Sequence, residues 1–501
     1  MRKPIAVVGT GAIASRMEAA LSGKGIDVCT VQNITELAVH ADGFALTAAA
    51  PNIPVPRDVS QLVAGLDVNR SNAVERYGLK PGPNVFGFSE FMSARDMDNI
   101  RKILSDRRRH VAFCVGIPEV TYPFALAEVM AQCMTMQNNA GCRTYILTRD
   151  LKVAGSGLET MYRKARTGGT VFIKFTGTLP TFEQSDDGIV IHYHDEISRM
   201  AYTLSPDLLI LQDLFQPPEG NKSLGFSLET VTPEGGFLQS DNVHRLTHET
   251  LRKGVLSIGG TRGIITPDQY PTEIKSALLN LAINETEDLS PDVNVAFIDT
   301  RLCARCMTCM RTCPHHAVVF TDRMEIMSET CQGCGICAAA CPALAINMSA
   351  GIEPDMNFPE TSDNPNLAVF CCKKSAAKAR DLARHYREDL PENLVITEIP
   401  CAGAVSRQLL LSAFENDADG VMVISCHTDN CFSEQGNLVA MAQINEVRET
   451  IAAIGLVAEQ LCHYPLAANM GVAFAQRLCE FEAEIIDIRT GRYGRRKKQE
   501  D

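Results

Sequence analysis

The sequence lacks three features, and each absence excludes a class of protein. It has no basic excess, since 47 Lys and Arg face 60 Asp and Glu for a net charge of −13, which argues against nucleic-acid binding. No apolar run approaches the roughly 18 residues that a membrane-spanning helix needs, so we expect no transmembrane segment. The apolar stretch after Met1 turns into a glycine-rich loop at Gly9 without a cleavage-like end, so we expect no secretory signal there.

Cysteine, by contrast, is abundant. The chain has 19 cysteines in 501 residues, a length typical of about three domains. In a short secreted chain so many cysteines would indicate disulfides, but this chain is long and its cysteines cluster at ligand spacings. A reducing cytoplasm therefore fits the cysteine usage better.

Eight cysteines form two copies of the pattern C-x2-C-x2-C-x3-C-P, one ending at Pro314 and the other at Pro342. Thiolates at this spacing hold iron–sulfur cubanes, and the fourth cysteine of each run binds the other cluster. A zinc site usually takes four ligands in two pairs, so two matching runs argue against zinc. We predict one [4Fe-4S] cluster on Cys303, Cys306, Cys309 and Cys341, and a second on Cys331, Cys334, Cys337 and Cys313.

A third cysteine group lies in the last part of the chain, where short apolar strands alternate with helical patterns. This alternation predicts a parallel, doubly wound sheet. The loops that follow neighbouring parallel strands meet at one edge of such a sheet. Strands are expected at 367–370, 394–399 and 421–424, and helices at 376–388, 405–416 and 438–454.

Cys371, Cys401 and Cys426 each lie at or just past the end of one of these strands, and Cys431 follows five residues after Cys426. Four thiols at one sheet edge predict a third cluster, either [2Fe-2S] or [4Fe-4S]. Cys372 is a competing ligand, and His427 is a rarer alternative. The remaining alternative is a set of buried, inert thiols, because cysteine is often fully buried.

A glycine-rich loop opens the chain. Gly9, Gly11 and Ala14 form G-x-G-x-x-A between a strand at 5–8 and a helix at 12–22, the pattern of a dinucleotide-binding turn. The acidic residue expected after the second strand is absent, since that strand ends at Gln32. A second glycine-rich stretch, with Gly259 and Gly260, follows a strand at 255–258 and is either a cofactor contact or a plain turn. The alternative for the first loop is a turn whose glycines serve packing alone.

Six stretches, together with the cysteine runs, carry a resemblance to a known family: 84–85, 89–91, 111–116, 155–166, 242–245 and 254–260. They resemble the A subunit of heterodisulfide reductase, an iron–sulfur flavoprotein with a thioredoxin-reductase-like core. The last domain resembles the delta subunit of methyl-viologen-reducing hydrogenase, and the fusion of the two is similar to the B subunit of quinone-modifying oxidoreductase complexes.

The resemblance implies FAD at the glycine loops, and it favours [2Fe-2S] at the third site. The hydrogenase cysteines map onto Cys371, Cys401, Cys426 and Cys431, and a further family cysteine falls on Lys374. Three departures concern the flavin. The acidic residue that would bind the adenine-side ribose is missing. We match residues 43–49 to the family strand that ends in Ala-Thr-Gly, and only about a dozen residues separate this stretch from Val31, where the family has a long segment. The family also has additional cysteines in an inserted domain, and other residues replace them here around 122–125. We therefore expect FAD to be bound weakly or not at all.

These observations predict an α/β protein with four segments. The predicted function is an iron–sulfur electron-transfer subunit of a cytoplasmic heterodisulfide reductase-like complex, with catalysis in partner subunits of heterodisulfide reductase, hydrogenase or dehydrogenase type. The alternatives are an FAD-containing, electron-bifurcating subunit and a redox-inactive assembly scaffold. The segments are a degenerate, truncated thioredoxin-reductase-like Rossmann domain (1–292), a two-cluster α+β ferredoxin insert (293–350), a doubly wound parallel domain of delta-subunit type (366–487) and a basic disordered tail (488–501).

Overall fold

The computed structural model describes residues 3–491, apart from 33, 41–42, 49–56, 96, 105, 107, 118–119, 140–141, 176, 186–187, 196–197, 229–234, 239–241, 287–293, 329, 353–355 and 359–363. The chain forms two compact units. One comprises Met1–Asp67 with Glu219–Asp501, and the other is Val68–Pro218. The predicted domain bounds stay a prediction, and most of the predicted tail lies outside the described residues.

The first segment contains the glycine loop and a helix that begins directly after it. Its elements are β1 (Ile5–Val8), α1 (Ala12–Ser22), β2 (Val28–Val31), β3 (Ile34–His40), β4 (Gly43–Ala48), β5 (Arg57–Val59) and β6 (Gln61–Leu66).

The elements of the unit Val68–Pro218 are β7 (Asn69–Ser71), β8 (Val85–Gly87), α2 (Phe88–Ala94), α3 (Asp98–Leu104), β9 (His110–Val115), α4 (Pro123–Asn139), β10 (Arg143–Thr148), α5 (Leu158–Thr167), β11 (Val171–Lys174), β12 (Thr181–Ser185), β13 (Gly188–Asp195), β14 (Met200–Leu204), β15 (Leu208–Leu211) and β16 (Leu214–Gln216). The unit is built on a parallel sheet in the order β11-β10-β9-β15-β8, with a separate antiparallel sheet β12-β13-β14.

The chain then returns to the first unit and runs through the ferredoxin insert. The elements are α6 (Gly220–Leu228), β17 (Val255–Gly259), α7 (Tyr270–Thr286), β18 (Ala296–Ile298), α8 (Thr308–Thr312), β19 (Val318–Phe320), β20 (Met324–Ile326), α9 (Ile336–Ala339) and β21 (Ile346–Met348). Strands β18 and β21 pair, as do β19 and β20. The buried cluster of the insert contains six residues, of which two are cysteines, so the insert has little hydrophobic core of its own.

The parallel sheet of the first segment corrects the strand match made from sequence. Its order is β17-β6-β1-β2, with every neighbour parallel. The strand beside β1 is therefore β6, whereas β4 lies in an antiparallel sheet, β3-β4-β5. The short connection after Val31 thus leads into this β-meander, and the expected Ala-Thr-Gly strand corresponds to β6.

The last segment is the predicted doubly wound domain. Its elements are β22 (Leu367–Cys372), α10 (Ala376–Tyr386), β23 (Leu394–Ile399), α11 (Arg407–Glu415), β24 (Gly420–Ser425), α12 (Gly436–Ala453), β25 (Leu461–Pro465) and α13 (Gly471–Arg489). A parallel sheet in the order β23-β22-β24-β25 has α11 and α12 on one face and α10 and α13 on the other. The α/β fold class predicted from the sequence is confirmed.

None of the helices in the described part of the chain combines the length and apolar character that crossing a bilayer requires.

Candidate iron–sulfur centres

The first predicted quartet lines one cavity of the ferredoxin insert. Cys303, Cys306 and Cys309 come from the first run, and Cys341 closes the cavity from the second run. About 330 Å³ of space there is free of atoms, part of it open to solvent. Cys306 is exposed, and a hydrogen bond with the Thr308 hydroxyl, at 3.3 Å, lowers the pKa of its thiol.

The second quartet lines a separate cavity of about 310 Å³, again partly open to solvent. Here Cys331, Cys334 and Cys337 meet Cys313 from the first run, so the crossed pairing expected from the spacing is what the fold brings together. His315 also lines this cavity. Its Nδ1 lies 3.0 Å from the Leu251 carbonyl oxygen, and burial lowers the pKa of its ring to about 4, so the ring is neutral.

Backbone amides point at sulfur atoms in both cavities. Ala317 N donates to Cys313 Sγ at 3.5 Å, Gly333 N to Cys331 Sγ at 3.4 Å, and Ala345 N to Cys341 Sγ at 3.3 Å. Hydrogen bonds to cluster sulfurs are one of the means by which a protein sets reduction potential. The geometry of both cavities therefore fits thiolate ligands of a cluster.

In the last domain the structure brings together Cys372, Cys401, Cys426 and Cys431, and we call these four the C-terminal thiol group. All four are at most 4% exposed. The Sγ atoms of Cys372 and Cys426 lie 3.7 Å apart. Cys431 interacts with both Cys401 and Cys426. The interaction with Cys426 lowers the pKa of Cys372 in spite of burial.

Cys371, which the sequence analysis assigned as a ligand, is not part of this group. Successive side chains of a strand point to opposite faces of the sheet. Cys372 packs with the core beneath α11 and α12, whereas Cys371 packs with the core beneath α10 and α13. Burial there raises the pKa of the Cys371 thiol to about 12. His427, the other alternative, is exposed.

Two serine hydroxyls line the C-terminal thiol group, and sequence reasoning missed both. Ser375 lies beside Cys426 and Ser433 beside Cys401. Both hydroxyls are buried, and each interacts with the thiol beside it. A hydroxyl in this position could donate to a sulfur of a bound cluster, and such hydrogen bonds help to set reduction potential. Lys374, where the family cysteine was expected, is instead exposed, with Nζ 4.1 Å from the centre of the Phe432 ring.

Gly436, the first residue of α12, leaves room for two of these thiols. A Cβ at this position would lie 2.2 Å from Cys401 Sγ and 3.4 Å from Cys431 Sγ. The Gly436→Ala variant is therefore expected to lose most of the third cluster, because the methyl group displaces Cys401 from its position. Iron content and visible absorption of the purified variant measure the loss.

Gly263 provides the matched control, because a Cβ there would meet no atom within 4 Å. Gly263→Ala is expected to retain the iron content of the unmodified chain. Full occupancy in Gly436→Ala would remove Cys401 and Cys431 from the ligand set.

The second quartet and the C-terminal thiol group are neighbours. The charge on Cys401 raises the pKa of Cys334, after the larger effect of burial. Between them, a Cβ on Gly335 would lie 2.7 Å from the Cβ of Ala404, and one on Gly403 would lie 2.8 Å from Ile336 Cγ1. Glycine at both positions lets α9 pack directly against the loop that carries Cys401, so the two thiol sites are separated by little protein.

Residues 242–245 form hydrogen bonds and an ion pair with the loop that carries Cys431. Asn242 Nδ2 donates to the Cys431 carbonyl oxygen at 3.0 Å, and Arg245 forms a largely buried ion pair with Glu434. Arg245 also reaches the Phe432 carbonyl oxygen at 3.4 Å. This stretch belongs to the reductase-like part of the sequence, so that part helps to position a ligand of the third site.

The first glycine loop is occupied by a carboxylate of the chain itself. Asp67, directly after β6, accepts hydrogen bonds from Ala12 N at 2.7 Å, Ile13 N at 3.0 Å and the Tyr270 hydroxyl at 2.7 Å. A Cβ on Gly11 would lie 2.4 Å from Asp67 Oδ2. The amides at this helix N-terminus, where a pyrophosphate binds in a dinucleotide fold, already have an anionic partner.

The other predicted flavin contacts serve packing. A Cβ on Gly9 would lie 2.0 Å from the Gly65 carbonyl oxygen, so the glycine lets the loop cross the end of β6. Ala14 is buried in the core beside β1. Gly260 N donates to the Leu66 carbonyl oxygen at 2.6 Å, and Gly259 has a positive φ of 64° in the same turn. The residues present therefore do not fit a dinucleotide.

Within the described ranges, no group of three or more His, Cys, Asp or Glu side chains has the arrangement needed to bind a single metal ion.

Comparison with known proteins identifies two family domains. Residues 302–345 match the 4Fe-4S dicluster domain, and residues 367–488 match the delta subunit of methyl-viologen-reducing hydrogenase. The insert is therefore an iron–sulfur domain, and the predicted resemblance of the last domain is confirmed.

Curated relatives extend the match across most of the chain. The A subunit of ferredoxin:CoB-CoM heterodisulfide reductase from Methanosarcina mazei is 25% identical over 390 residues, 75% of this chain and 48% of that protein. The iron-sulfur D subunit of F420-non-reducing hydrogenase from Archaeoglobus profundus is 28% identical over 121 residues, 24% of this chain and 88% of that protein. The chain thus spans about half the length of the reductase relative, and the predicted fusion is confirmed.

Proposed function

We propose that this chain is an iron–sulfur electron-transfer subunit of a heterodisulfide reductase-like complex, in which partner subunits carry the catalysis. The observation that carries the proposal is the close packing of the Cys334 and Cys401 sites across Gly335 and Gly403. Two relatives support it, because their names describe subunits of a heterodisulfide reductase and of a hydrogenase.

The proposed ligands fall into three sets. The two quartets of the insert hold [4Fe-4S] clusters, and the C-terminal thiol group holds a third cluster, for which we favour [2Fe-2S]. Bound clusters of these types accept and donate single electrons. The third set replaces Cys371 of the sequence prediction with Cys372. The sets are Cys303, Cys306, Cys309 and Cys341; Cys331, Cys334, Cys337 and Cys313; and Cys372, Cys401, Cys426 and Cys431.

The protein contributes spacing, burial and hydrogen bonds. Free thiols buried as deeply as Cys334 and Cys337 are neutral, because burial raises their pKa values, so metal binding must release their protons. The order of sites along the proposed route is the C-terminal thiol group, then the Cys334 quartet, then the Cys306 quartet, in which Cys306 is exposed.

Metal analysis of the full chain, purified without oxygen, tests this function. The proposal requires about ten iron atoms per chain, four for each cubane and two for the third cluster. Zinc, or an absence of metal with normal folding, would favour the assembly scaffold instead.

The flavin alternative makes a separate prediction. The purified chain is expected to release no stoichiometric flavin on deproteinisation, because Asp67 already occupies the amides of Ala12 and Ile13. A carboxylate and a phosphate cannot both accept these hydrogen bonds. The visible spectrum of the supernatant measures the released flavin. When free FAD is added to the purified chain, its fluorescence should remain unquenched.

A stoichiometric flavin in that supernatant would contradict the prediction. Gly9 and Gly11 would then become pyrophosphate contacts, and the electron-bifurcating alternative would replace the simple relay. The iron count does not depend on this outcome, so the metal analysis and the flavin measurement test the two alternatives independently.

A further inference from the structure

The two cysteine runs of the insert differ at the second residue after their last cysteine. The first run ends in Cys-Pro-His at 313–315, and the second run ends in Cys-Pro-Ala at 341–343. Because the quartets are crossed, His315 lines the second cavity and Ala343 lines the first. The same position of the motif therefore provides an imidazole ring in one cavity and only a methyl group in the other.

The backbone places His315 on the same side of the chain as Cys313. Cys313 is extended, with φ −75° and ψ 109°, as is expected for a residue that precedes proline. Side chains two residues apart in an extended segment point to the same side. Both side chains accordingly line the second cavity, so the imidazole lies near the iron that Cys313 would bind.

The hydrogen bond of the His315 ring determines which nitrogen has a free lone pair. Nδ1 lies 3.0 Å from the Leu251 carbonyl oxygen. A carbonyl oxygen only accepts, so Nδ1 carries the proton. Burial keeps the ring neutral, and Nε2 therefore has a lone pair and no proton. Nε2 is buried and has no hydrogen-bond partner in the part of the chain that the structure describes.

This arrangement is typical of a histidine that binds a metal. A ligating imidazole usually donates its other ring N–H to a backbone carbonyl or a carboxylate, which fixes the orientation of the ring and raises its basicity. Neutral imidazole is a good ligand for iron, and histidine replaces cysteine at one iron of Rieske centres. Without a proton, Nε2 cannot donate to a cluster sulfur as the backbone amides do.

We propose that His315 Nε2 is an alternative iron ligand of the second quartet and binds the iron of Cys313 when that thiolate dissociates. The inference rests on the proposed function, since it requires a cluster at this quartet. In the exchange, the bond between iron and Cys313 Sγ breaks and a bond to Nε2 forms. The freed thiolate takes a proton from water, and no electron is transferred. Because a neutral ligand replaces an anionic one, the reduction potential of the cluster rises.

Cys313→Ala, made in the full-length chain and purified without oxygen, tests the proposal. The variant is expected to keep about ten iron atoms per chain, because His315 holds the iron that Cys313 no longer binds. In the reduced variant labelled with 15N-histidine, pulsed EPR should show a strong 15N hyperfine coupling that is absent from the unmodified chain. The midpoint potential of the same cluster should be higher than in the unmodified chain.

Cys341→Ala is the matched control, because Ala343 occupies the corresponding position beside the first quartet. With no imidazole to replace the thiolate, iron in this variant should fall to about six atoms per chain. Cys313→Ala/His315→Ala should lose iron from the second quartet to the same extent, and its 15N coupling should be absent.

A second measurement leaves every cysteine in place. His315→Ala should assemble the same iron content as the unmodified chain, because Cys313 remains available. On addition of ferricyanide, an oxidant that damages such clusters, the variant should lose iron several-fold faster, since no second ligand holds the iron once Cys313 dissociates. Absorbance at the cluster bands and the [3Fe-4S] EPR signal follow the loss.

Absence of the 15N coupling in Cys313→Ala, whatever its iron content, would overturn the ligand proposal while leaving the proposed function in place. Equal rates of iron loss in His315→Ala and the unmodified chain would overturn it as well, also where Cys313→Ala fails to fold. An unmodified chain without iron would overturn the proposed function and the ligand proposal together.

Discussion

Replacing Cys372 with alanine is expected to remove the third cluster and leave the paired clusters intact. Its Sγ lies 3.7 Å from Cys426 Sγ within the C-terminal thiol group, and a cluster that loses one of four thiolates is no longer held. Iron should fall from about ten to about eight atoms per chain, and the EPR signal of the third cluster should disappear. The [4Fe-4S] signals of the insert should persist.

Cys371→Ala is the matched control, one residue earlier in the same strand. The Cys371 side chain lies on the opposite face of β22, in the core beneath α10 and α13. Its loss should lower the free energy of unfolding by about 1 kcal/mol as a small cavity forms and leave the iron content unchanged. Loss of the cluster in Cys371→Ala, with retention in Cys372→Ala, would restore the ligand set predicted from the sequence.

The sequence could not decide between these two neighbours. A strand that is buried on one face reveals its orientation by alternation of polar and apolar residues. Every residue of β22 is buried, because helices cover both faces of the sheet, as is usual for parallel sheets. The position of the group at the strand ends was predictable from topology, whereas the face was not.

The second large effect is expected for Cys306→Ala. Removal of this thiolate should eliminate the first cubane, so that iron falls to about six atoms per chain. The insert should also unfold more readily, because its buried cluster contains only six residues and metal ligation supplies much of its stability. Metal analysis and limited proteolysis of the insert measure the two consequences.

Cys479→Ala provides the control, since Cys479 is also exposed but lies on α13, where its thiol donates to the Asp389 carbonyl oxygen at 3.7 Å. Its iron content and protease resistance should match those of the unmodified chain. Unchanged iron and EPR in Cys306→Ala would mean that the first quartet is assigned incorrectly.

Both quartets of the insert followed from spacing because their ligands come from short local runs. The cavities bring together the crossed sets that the pattern predicts. Contacts between distant residues gave no such signal. Asp67 lies 55 residues from the amide of Ala12 that it binds, and no local pattern links the two. The strand beside β1 was misplaced for a similar reason, since β4 and β6 are both short and apolar and only pairing tells them apart.

Low-temperature EPR of the fully reduced chain, compared with Cys334→Ala, tests most directly whether the third cluster communicates with the insert. Because Cys401 and Cys334 are neighbours, the signal of the third cluster should be broadened and should relax rapidly through spin coupling to the Cys334 quartet. In Cys334→Ala the same signal should narrow and relax slowly, as for an isolated cluster. Identical line shapes and relaxation in the two proteins would contradict a continuous electron path within the chain.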